Sequence, residues 1–351
     1  MNDWFYGRTY TVMTVKFTYI TLLLLMLFVL FRSGIKLQKE YKIWSGAGIA
    51  AILTYTLNEG LRFGRGIDYN NGGIGYERFS TYAGDYNNYI GYEYLVKILV
   101  KYGVPWQGCV ILMSFMFIVG LLFLMRNLRE VVPYALPLFV LVSSGTVENL
   151  VKWYLAFSFF MIGLSYQIVQ LDKLNIKYVF FSCVASLFHL AFIPVPFIFY
   201  LLTKFNKPIL SPFWAILLFF AIGFLFQTSF MLNFVDLINT AALMSDRFEG
   251  YAENAEMWFT QGFQGRETSA FPGVLELLFL MTVTPIGFKC VKHMGPKYIY
   301  IYNLFLIGFF LKPITNKVPL LARYDHVFFF FRAVVFACIL QFIYKEKKVI
   351  L

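Results

Sequence analysis

The side chains best suited to chemistry lie in a polar stretch, residues 61–101, of a chain that is otherwise mostly apolar. The stretch contains Arg62, Arg65 and Asp68 with glycines between them, and seven tyrosines from Tyr69 to Tyr94. A carboxylate at a membrane surface can act as a general base toward a sugar hydroxyl, and guanidinium groups bind phosphate oxygens. These residues therefore indicate a site for anionic head groups and sugars. The structural alternative is an ion pair between Asp68 and one arginine, with the arginines extending to lipid phosphates.

Two further groups of candidates lie in the apolar part of the chain. Glu148, Asn149 and Lys152 share one helical turn at the start of a span, where charged groups are costly and usually face a cavity or each other. Asn149 is equally suited to cap a helix, and Lys152 to anchor one at the interface. His189 lies at an expected helix break, as a proton acceptor or a hydrogen-bonding partner for substrate. The alternative for His189 is a purely structural, buried histidine.

Two arginines complete the set of candidates. Arg323 precedes the last span and is either a second phosphate ligand or the salt-bridge partner of Asp325. Arg247 lies in a long polar loop, where charged side chains are usually only solvated. It is therefore the weaker candidate of the two.

Several common chemistries are excluded because their motifs are absent. The chain has no GxxxxGK[ST] phosphate loop, no HExxH and no GxSxG, and its three histidines are far apart in sequence. Its four cysteines lie in or beside apolar runs without CxxC spacing, so we predict that they are packing residues. We predict neither a metal nor a cofactor. The net charge of +11 fits Lys and Arg in short loops between membrane helices, and nucleic acid is not an expected partner.

The composition is that of an integral membrane protein. The 351 residues are 59% hydrophobic and 14% charged, with a mean hydropathy of +0.66. The predicted fold is a single all-α polytopic domain, residues 1–351, with about ten transmembrane or re-entrant helices of about 20 residues each. The candidate spans are residues 11–31, 43–61, 106–125, 133–144, 150–169, 211–232, 273–291, 297–311 and 326–344.

Residues 178–202 decide the predicted topology. The segment is long enough to span once, but His189, Pro194 and Pro196 interrupt it. A re-entrant or broken hairpin at Phe188–His189 would return the chain to its starting side and keep the basic loops in the cytoplasm. A single straight span would move the long loop after residue 232 to the cytoplasm.

On the hairpin topology the external loops are residues 62–105 and 233–272, which we expect to form the substrate cavity. The first loop contains Asp-Tyr-Asn-Asn twice, from Asp68 and from Asp85. This repeat is either a local duplication or a pair of similar surfaces for successive sugar units. The amphipathic stretch Leu95–Val104 is typical of a helix lying in the membrane interface.

Taken in order, these clusters resemble the EpsG family, the Wzy-like polymerases of bacterial exopolysaccharide, capsule and O-antigen. The resemblance covers nearly the whole chain. It rests on the segment Arg62-Phe63-Gly64-Arg65-Gly66-Ile67-Asp68-Tyr69-Asn70, Glu93, Asn149-x-x-Lys152 with Leu155-Ala156, Phe188-His189, Arg247 to Tyr251, and Arg323. The family more often has Asn-x-x-Arg-Gln in the second cluster, where this chain has Lys152 and Trp153. Lysine keeps the charge but loses the forked geometry of arginine.

The resemblance implies a GT-C-like glycosyltransferase that joins polyprenyl-diphosphate-linked glycans on the external face of the bacterial cytoplasmic membrane. The implied base is Asp68, with His189 as second choice, and no metal is needed where cations neutralise the leaving diphosphate. Substrate binding would fall to Arg62, Arg65, Glu93, Asn149, Lys152, Arg247 and Arg323. The expected partners are the undecaprenyl-type lipid carrier with its glycans, membrane lipid, a chain-length regulator and a flippase.

Two other functions stay open at this point. One is a ligase or another transferase that uses the same lipid-linked glycans, and the other is a non-enzymatic transporter of them. An alternating-access transporter is expected to have two pseudo-symmetric halves around a polar site at the bilayer midplane. In this chain the polar residues favour the external side, and the repeat lies inside one loop, which favours the polymerase.

Overall fold

The computed structural model describes residues 9–62, 76, 90–149, 151–228, 270–317 and 321–350, without the side chains of 9–18, 144–149, 151, 322 and 347–350. The described residues form helices and turns with no strand among them, which confirms the all-α prediction. In chain order the α-helices are α1 (Thr9–Lys39), α2 (Gly46–Gly60), α3 (Ile90–Lys101), α4 (Trp106–Met125), α5 (Val132–Asn149), α6 (Val151–Gln167), α7 (Ile176–Phe188), α8 (Pro194–Leu202), α9 (Pro212–Gln227), α10 (Val274–Met294), α11 (Pro296–Lys317), α12 (Ala322–Phe329) and α13 (Arg332–Ile350).

The chain divides into two compact units, Met1–Pro196 and Phe197–Leu351. The first unit contains α1 to α7, and the second contains α9 to α13. Helix α8 begins in the first unit and ends in the second. The expectation of a single membrane domain over residues 1–351 stays a prediction.

Apolar helices of membrane-spanning length are present in both units. Within the described residues, five segments are long and apolar enough to cross a membrane: Tyr19–Lys39, Trp106–Met125, Val274–Met294, Pro296–Lys317 and Arg323–Glu346. Helices α7 and α9 are apolar but shorter. The protein is therefore built as a membrane protein, whereas the larger number of spans and the GT-C-like architecture stay predictions.

Local sequence sets the ends of the helices that border the candidate site. Asn175 caps α7, because its side chain accepts a hydrogen bond from the Lys177 N–H at 2.9 Å. Helix α3 ends before Gly103, whose φ of +68° favours glycine. The Val104 N–H then bonds to the Leu99 carbonyl at 2.9 Å, which closes the helix in a Schellman-type turn. The predicted amphipathic helix is therefore present, but it begins and ends earlier than Leu95–Val104, and its position in the membrane interface stays a prediction.

Close backbone contacts hold the first unit together. Helix α4 packs between α2 and α6, and α6 packs on α7. At Gly120 in α4, a Cβ atom would lie 2.5 Å from the Ser158 carbonyl oxygen in α6. At Gly163 in α6, a Cβ would lie 2.9 Å from the Cβ of Phe181 in α7. Glycine at these positions lets the helix backbones approach each other, as small residues do in membrane helices.

The predicted break at Phe188–His189 is present. Helix α7 ends at Phe188, His189 is extended (φ −155°, ψ 105°), and the 3-10 turn Leu190–Phe192 leads into α8. The Tyr178 hydroxyl in α7 donates to the Pro196 carbonyl at 2.5 Å. A continuous helix would separate two residues 18 apart by about 27 Å, so the chain reverses direction at His189. The predicted hairpin is confirmed, and its orientation in the membrane stays a prediction.

Helix α11 lies at the centre of the second unit, in contact with α9, α10, α12 and α13. Its tyrosine hydroxyls bond to buried carbonyls: Tyr300 donates to Phe199 at 3.1 Å, and Tyr302 donates to Thr284 at 2.9 Å. The buried Asn303 amide bonds to the backbone of the turn that precedes α9. These bonds satisfy polar groups where no water is available to do so.

The predicted last span, residues 326–344, is not one regular helix. Helix α12 ends at Phe329 and α13 begins at Arg332. Between them the Phe331 N–H bonds to the Phe328 carbonyl, three residues back, at 3.2 Å. The predicted span lies within the segment Arg323–Glu346, which is long and apolar enough to cross a membrane. The turn inside it was not predicted, because the four consecutive phenylalanines contain no proline or glycine that would indicate a break.

All four cysteines lie in described residues and carry free thiols. Cys109, Cys290 and Cys338 are buried, as expected of packing residues. Cys183 on α7 is exposed, so the packing prediction was wrong for that residue. An apolar run does not distinguish the two cases, because the lipid-facing side of a membrane helix is also apolar.

Substituting Gly120 with alanine should destabilise the first unit. The new methyl group would force α4 and α6 apart, at a cost of about 1–3 kcal/mol. Thermal unfolding of the purified protein in detergent, followed by tryptophan fluorescence, would measure the change. Gly46→Ala is the matched control, because nothing lies within 4 Å of a Cβ at that helical position. Equal melting temperatures for the two variants would contradict the packing described for α4 and α6.

Candidate functional site

The predicted site residues described in the first unit lie at the ends of four helices. Glu93 lies in the first turn of α3, and Lys152 lies in the first turn of α6. Arg62 follows the end of α2, and His189 follows the end of α7. Helix α3 packs on α7, and a Cβ at Gly91 would lie 3.1 Å from the Leu187 carbonyl carbon. The first turn of α3, which carries the buried Glu93, therefore lies against the end of α7 next to His189.

Lys152 is held over an aromatic ring. Its Nζ lies 4.7 Å from the centroid of the Tyr92 ring, and the Lys152 side chain is exposed. Tyr92 itself is buried with five other residues in a small core at this end of the unit: Tyr76, Val96, Cys109, Met113 and Leu155. A cation over a tyrosine face keeps its charge and its donors, so Lys152 can still bind an anion.

His189 is enclosed by aromatic rings. Its imidazole meets the Trp153 indole edge-on, with centroids 4.9 Å apart and planes at 88°. Trp153 also contacts Phe192, at 4.9 Å. The His189 backbone is fixed on both sides, because its N–H bonds to Ala185 at 3.1 Å and its carbonyl accepts from Phe192 at 2.8 Å. Since Lys152 and Trp153 are adjacent in the chain, Lys152 and His189 lie at the same end of the first unit.

Arg62 forms a buried ion pair with Glu59. The Arg62 Nη1 and Glu59 Oε2 atoms lie 3.5 Å apart, and each side chain is only 1% exposed. The interpretation that Arg62 extends to lipid phosphates is therefore wrong. Its carboxylate partner among the described residues is Glu59, and Asp68, the partner considered from sequence, lies outside the described residues. A buried pair of this kind is costly to desolvate. Removing one member leaves the other as an uncompensated buried charge, which is strongly destabilising.

The end of α2 contains further buried polar groups. The Gly60 carbonyl accepts a hydrogen bond from the Gln107 side chain of α4. Among the described residues, Thr56 Oγ1, Asn58 Oδ1 and the Nε and Nη1 of Arg62 have no hydrogen-bond partner. Buried polar groups are normally satisfied, so this end of α2 is suited to contact a polar group.

Tyr76 is the described residue within the tyrosine-rich loop. Its hydroxyl donates to the Val104 carbonyl at 2.5 Å, and its ring lies 5.6 Å from that of Trp106. Burial raises the pKa of the Tyr76 hydroxyl, so it stays protonated and a donor at neutral pH. Tyr76 therefore packs against the turn between α3 and α4.

Arg323 lies in the second unit, in the first turn of α12, where it is half-buried. Asp325, two residues later, pairs with Lys312 of α11, with 3.7 Å between Nζ and Oδ2. The sequence had offered Arg323 as the partner of Asp325. The contact with Lys312 had not been expected from sequence.

The other candidates lie outside the described residues. They are Arg65 and Asp68 in the first loop, with the repeat at Asp85, and Arg247 in the second. Asn149 ends α5, and its side chain is not described. Their proposed roles stay predictions.

The chain matches the EpsG family over residues 47–351. The chain belongs to the EpsG family. The match includes every helix from α2 onward and all of the candidate site residues. No curated protein and no solved structure matches this EpsG-family chain.

Two residues around the site of this EpsG-family protein had not been selected as site residues from sequence. Glu59 could have been found, because an acidic residue in an apolar helix, three positions before an arginine, indicates an ion pair. Trp153 gave no such signal, because its importance comes from a contact with His189, which is distant in sequence.

A metal site is not evident in the described part of this EpsG-family chain. There, no three His, Cys, Asp or Glu side chains come together in a way that could hold a metal ion. Among the candidate site residues described in the first unit, the positively charged ones are Arg62 and Lys152. The expectation of metal-independent chemistry stays a prediction.

Removing one member of the Glu59 and Arg62 pair should destabilise the protein strongly. Glu59→Ala leaves a buried guanidinium without its carboxylate, and we expect a loss of about 3–5 kcal/mol. Denaturant unfolding in lipid nanodiscs would measure it. The double variant Glu59→Gln with Arg62→Gln removes both charges and should recover most of the loss. A double variant as unstable as Glu59→Ala would mean that the pair is not the cause.

Proposed function

We propose that this protein is a polysaccharide polymerase that joins polyprenyl-diphosphate-linked oligosaccharides by glycosyl transfer. The observation that carries the proposal is the convergence of Lys152, Tyr92, Trp153 and His189 at one end of the first unit, in a chain of the EpsG family. An exposed cation beside aromatic faces suits a substrate that joins a phosphate to a sugar. A histidine at the same end of the unit, against Trp153, adds a proton acceptor.

In the proposed reaction the acceptor glycan's hydroxyl attacks the anomeric carbon of the donor glycan. The new glycosidic C–O bond forms as the bond between the anomeric carbon and the diphosphate oxygen breaks. The hydroxyl proton goes to the base, and the electron pair leaves with the lipid diphosphate. Diphosphate is a good leaving group, so the protein supplies orientation, a base and positive charge.

The roles follow from charge and position. Asp68 is the proposed base, and His189, at 4% exposure, either takes the proton in its place or orients the acceptor. Arg65 and Lys152 in the first unit, and Arg323 in the second, are each proposed to bind a diphosphate group, whereas Arg62 is held by Glu59 and would support the site from within. Glu93, Asn149 and Arg247, with the tyrosines of the first loop, would bind sugars and fix the acceptor.

We place the reaction on the external face of the cytoplasmic membrane. The chain reversal at His189 supports this placement, because the external topology was predicted from a hairpin at that position. The lipid-linked glycans would reach the site within the outer leaflet. A flippase would deliver them, and a chain-length regulator would limit the product.

Lys152→Gln should lower polymer formation from a synthetic polyprenyl-diphosphate repeat unit. A lost charge-assisted contact of about 1.5–3 kcal/mol corresponds to roughly ten- to a hundredfold in rate. The measurement is the product ladder made by purified protein, with a sample without protein as the blank; Asp68→Asn should also lose activity if Asp68 is the base.

Lys177→Gln is the matched control for Lys152→Gln. Lys177 also lies over a tyrosine, 4.8 Å from the Tyr166 ring centroid, at the start of α7 and the opposite end of the helix pair. Its loss should leave the ladder unchanged. Equal effects of the two substitutions would remove Lys152 from the site, and flipping of substrate without a new glycosidic bond would favour a transporter.

His189→Phe separates chemistry from packing. Phenylalanine keeps a ring against Trp153 but has no nitrogen, so the melting temperature should stay near that of the wild type. A loss of about 10²–10⁴-fold in the rate of polymer formation is expected if His189 transfers the proton. Wild-type activity in a stable His189→Phe variant would establish the structural alternative.

A further inference from the structure

Four charged side chains form a network within the second unit. Arg332 Nη1 lies 2.9 Å from Glu276 Oε1, and Lys312 Nζ lies 3.9 Å from the same oxygen. Lys312 also pairs with Asp325 Oδ2 at 3.7 Å. The members come from four helices, α10 to α13, and all lie at helix ends or within two turns of them. The network therefore ties together the ends of these four helices.

The charges of the network cancel. Two cations face two carboxylates, and Lys312 lies between both carboxylates, so neither cation is left over for an anionic ligand. The side chains are largely buried, with exposed fractions of 3% for Asp325, 19% for Lys312, 20% for Arg332 and 35% for Glu276. A neutral, mostly buried network is suited to fix helices and not to bind a phosphate.

Stability alone is a weak reason for such a network. Charged groups in a membrane segment are costly, and apolar replacements of a buried ion pair are often as stable or more stable. Directional contacts, however, fix the rotation of a helix, which non-directional apolar packing does less well. Helix α12 depends most on such contacts, because a helix of eight residues is not stable without packing against its neighbours.

Helix α12 is fixed at both ends. At its C-terminus the backbone lies against α11, where a Cβ at Gly308 would be 2.4 Å from the Phe329 nitrogen. The Arg332 guanidinium lies over the Phe329 ring, 4.0 Å from its centroid. Nearer the N-terminus, the pair of Asp325 with Lys312 sets the rotation of the helix about its axis.

Arg323 depends on that rotation. It precedes Asp325 by two residues, about 200° around the helix, so the two side chains lie on opposite faces. Asp325 is buried in the network, and Arg323 on the other face is half-buried. If the ion pair were lost, α12 could turn and carry the Arg323 guanidinium to a different position.

We propose that Lys312 and Asp325 are a positioning pair that holds Arg323 in place to bind the diphosphate of the lipid carrier. This inference rests on the proposed function, because it assumes a diphosphate-linked lipid as the ligand. Neither Lys312 nor Asp325 needs to touch that ligand. Their effect on binding should pass entirely through Arg323.

The test measures Kd for undecaprenyl diphosphate without a glycan, titrated into the purified full-length protein in detergent. Arg323→Ala should raise Kd about tenfold, as expected for one lost charge-assisted contact. The neutral pair variant, Lys312→Met with Asp325→Asn, should raise Kd by a similar factor. Combining the three substitutions should give about the same tenfold change and not a hundredfold one, because the pair acts through Arg323.

Two further variants separate positioning from folding. Lys312→Arg keeps a cation beside both Asp325 and Glu276 and should leave Kd near the wild-type value, even if the neutral variant is unstable. Glu40→Gln with Lys42→Met is the matched control, since it removes an exposed pair of the first unit and should leave Kd unchanged.

Each outcome decides a different question. Wild-type Kd in the folded neutral variant, or multiplied losses in the combined variant, would overturn the positioning pair. A wild-type protein that binds the lipid but makes no polymer would contradict the proposed polymerase function. The Kd values of the variants would still test the positioning role of Lys312 and Asp325. A wild-type protein that does not bind the lipid would overturn both.

Discussion

The reversal of the chain at His189 is the constraint on which the described part of the candidate site depends. The bond from Tyr178 to the Pro196 carbonyl closes the hairpin, and the 3-10 turn after His189 directs the chain back along α7. His189 therefore lies at the tip of the hairpin, in contact with Trp153 at the start of α6. Helix α3 rests on the same tip through Gly91. If α7 continued as a straight helix, Phe192 would lie about 21 Å along the axis from Tyr178, and the two rings could not both contact Phe160.

Several charged side chains in apolar surroundings form ion pairs with a carboxylate. Arg62 lies against Glu59, and Lys312 and Arg332 share two carboxylates. Lys152 lies over the Tyr92 ring, and its side chain is exposed. This exposure beside an aromatic face is the physical basis for giving Lys152 the ligand-binding role.

The sequence was sufficient for the features that depend on composition and on local geometry. The all-α membrane class follows from apolar runs, and the break at His189 follows from two prolines that cannot continue a helix. The sequence was insufficient where contacts join distant segments. Neither residue spacing nor periodicity predicts the edge-on contact of Trp153 with His189. The same holds for the pair of Lys312 with Asp325. The break after Phe329 was missed for a related reason, since its cause is the packing of α12 on Gly308 and not a residue that ends helices.

The exposed thiol on α7 has a practical consequence. Cys183 lies on the helix that leads to the hairpin tip, while the other three cysteines are buried. The unaltered polypeptide thus already contains a single accessible attachment point for a spin label or a fluorophore on that helix. Spectroscopy on the labelled native sequence would report the surroundings and movement of the hairpin as lipid-linked sugars are added, without engineering a cysteine-free background.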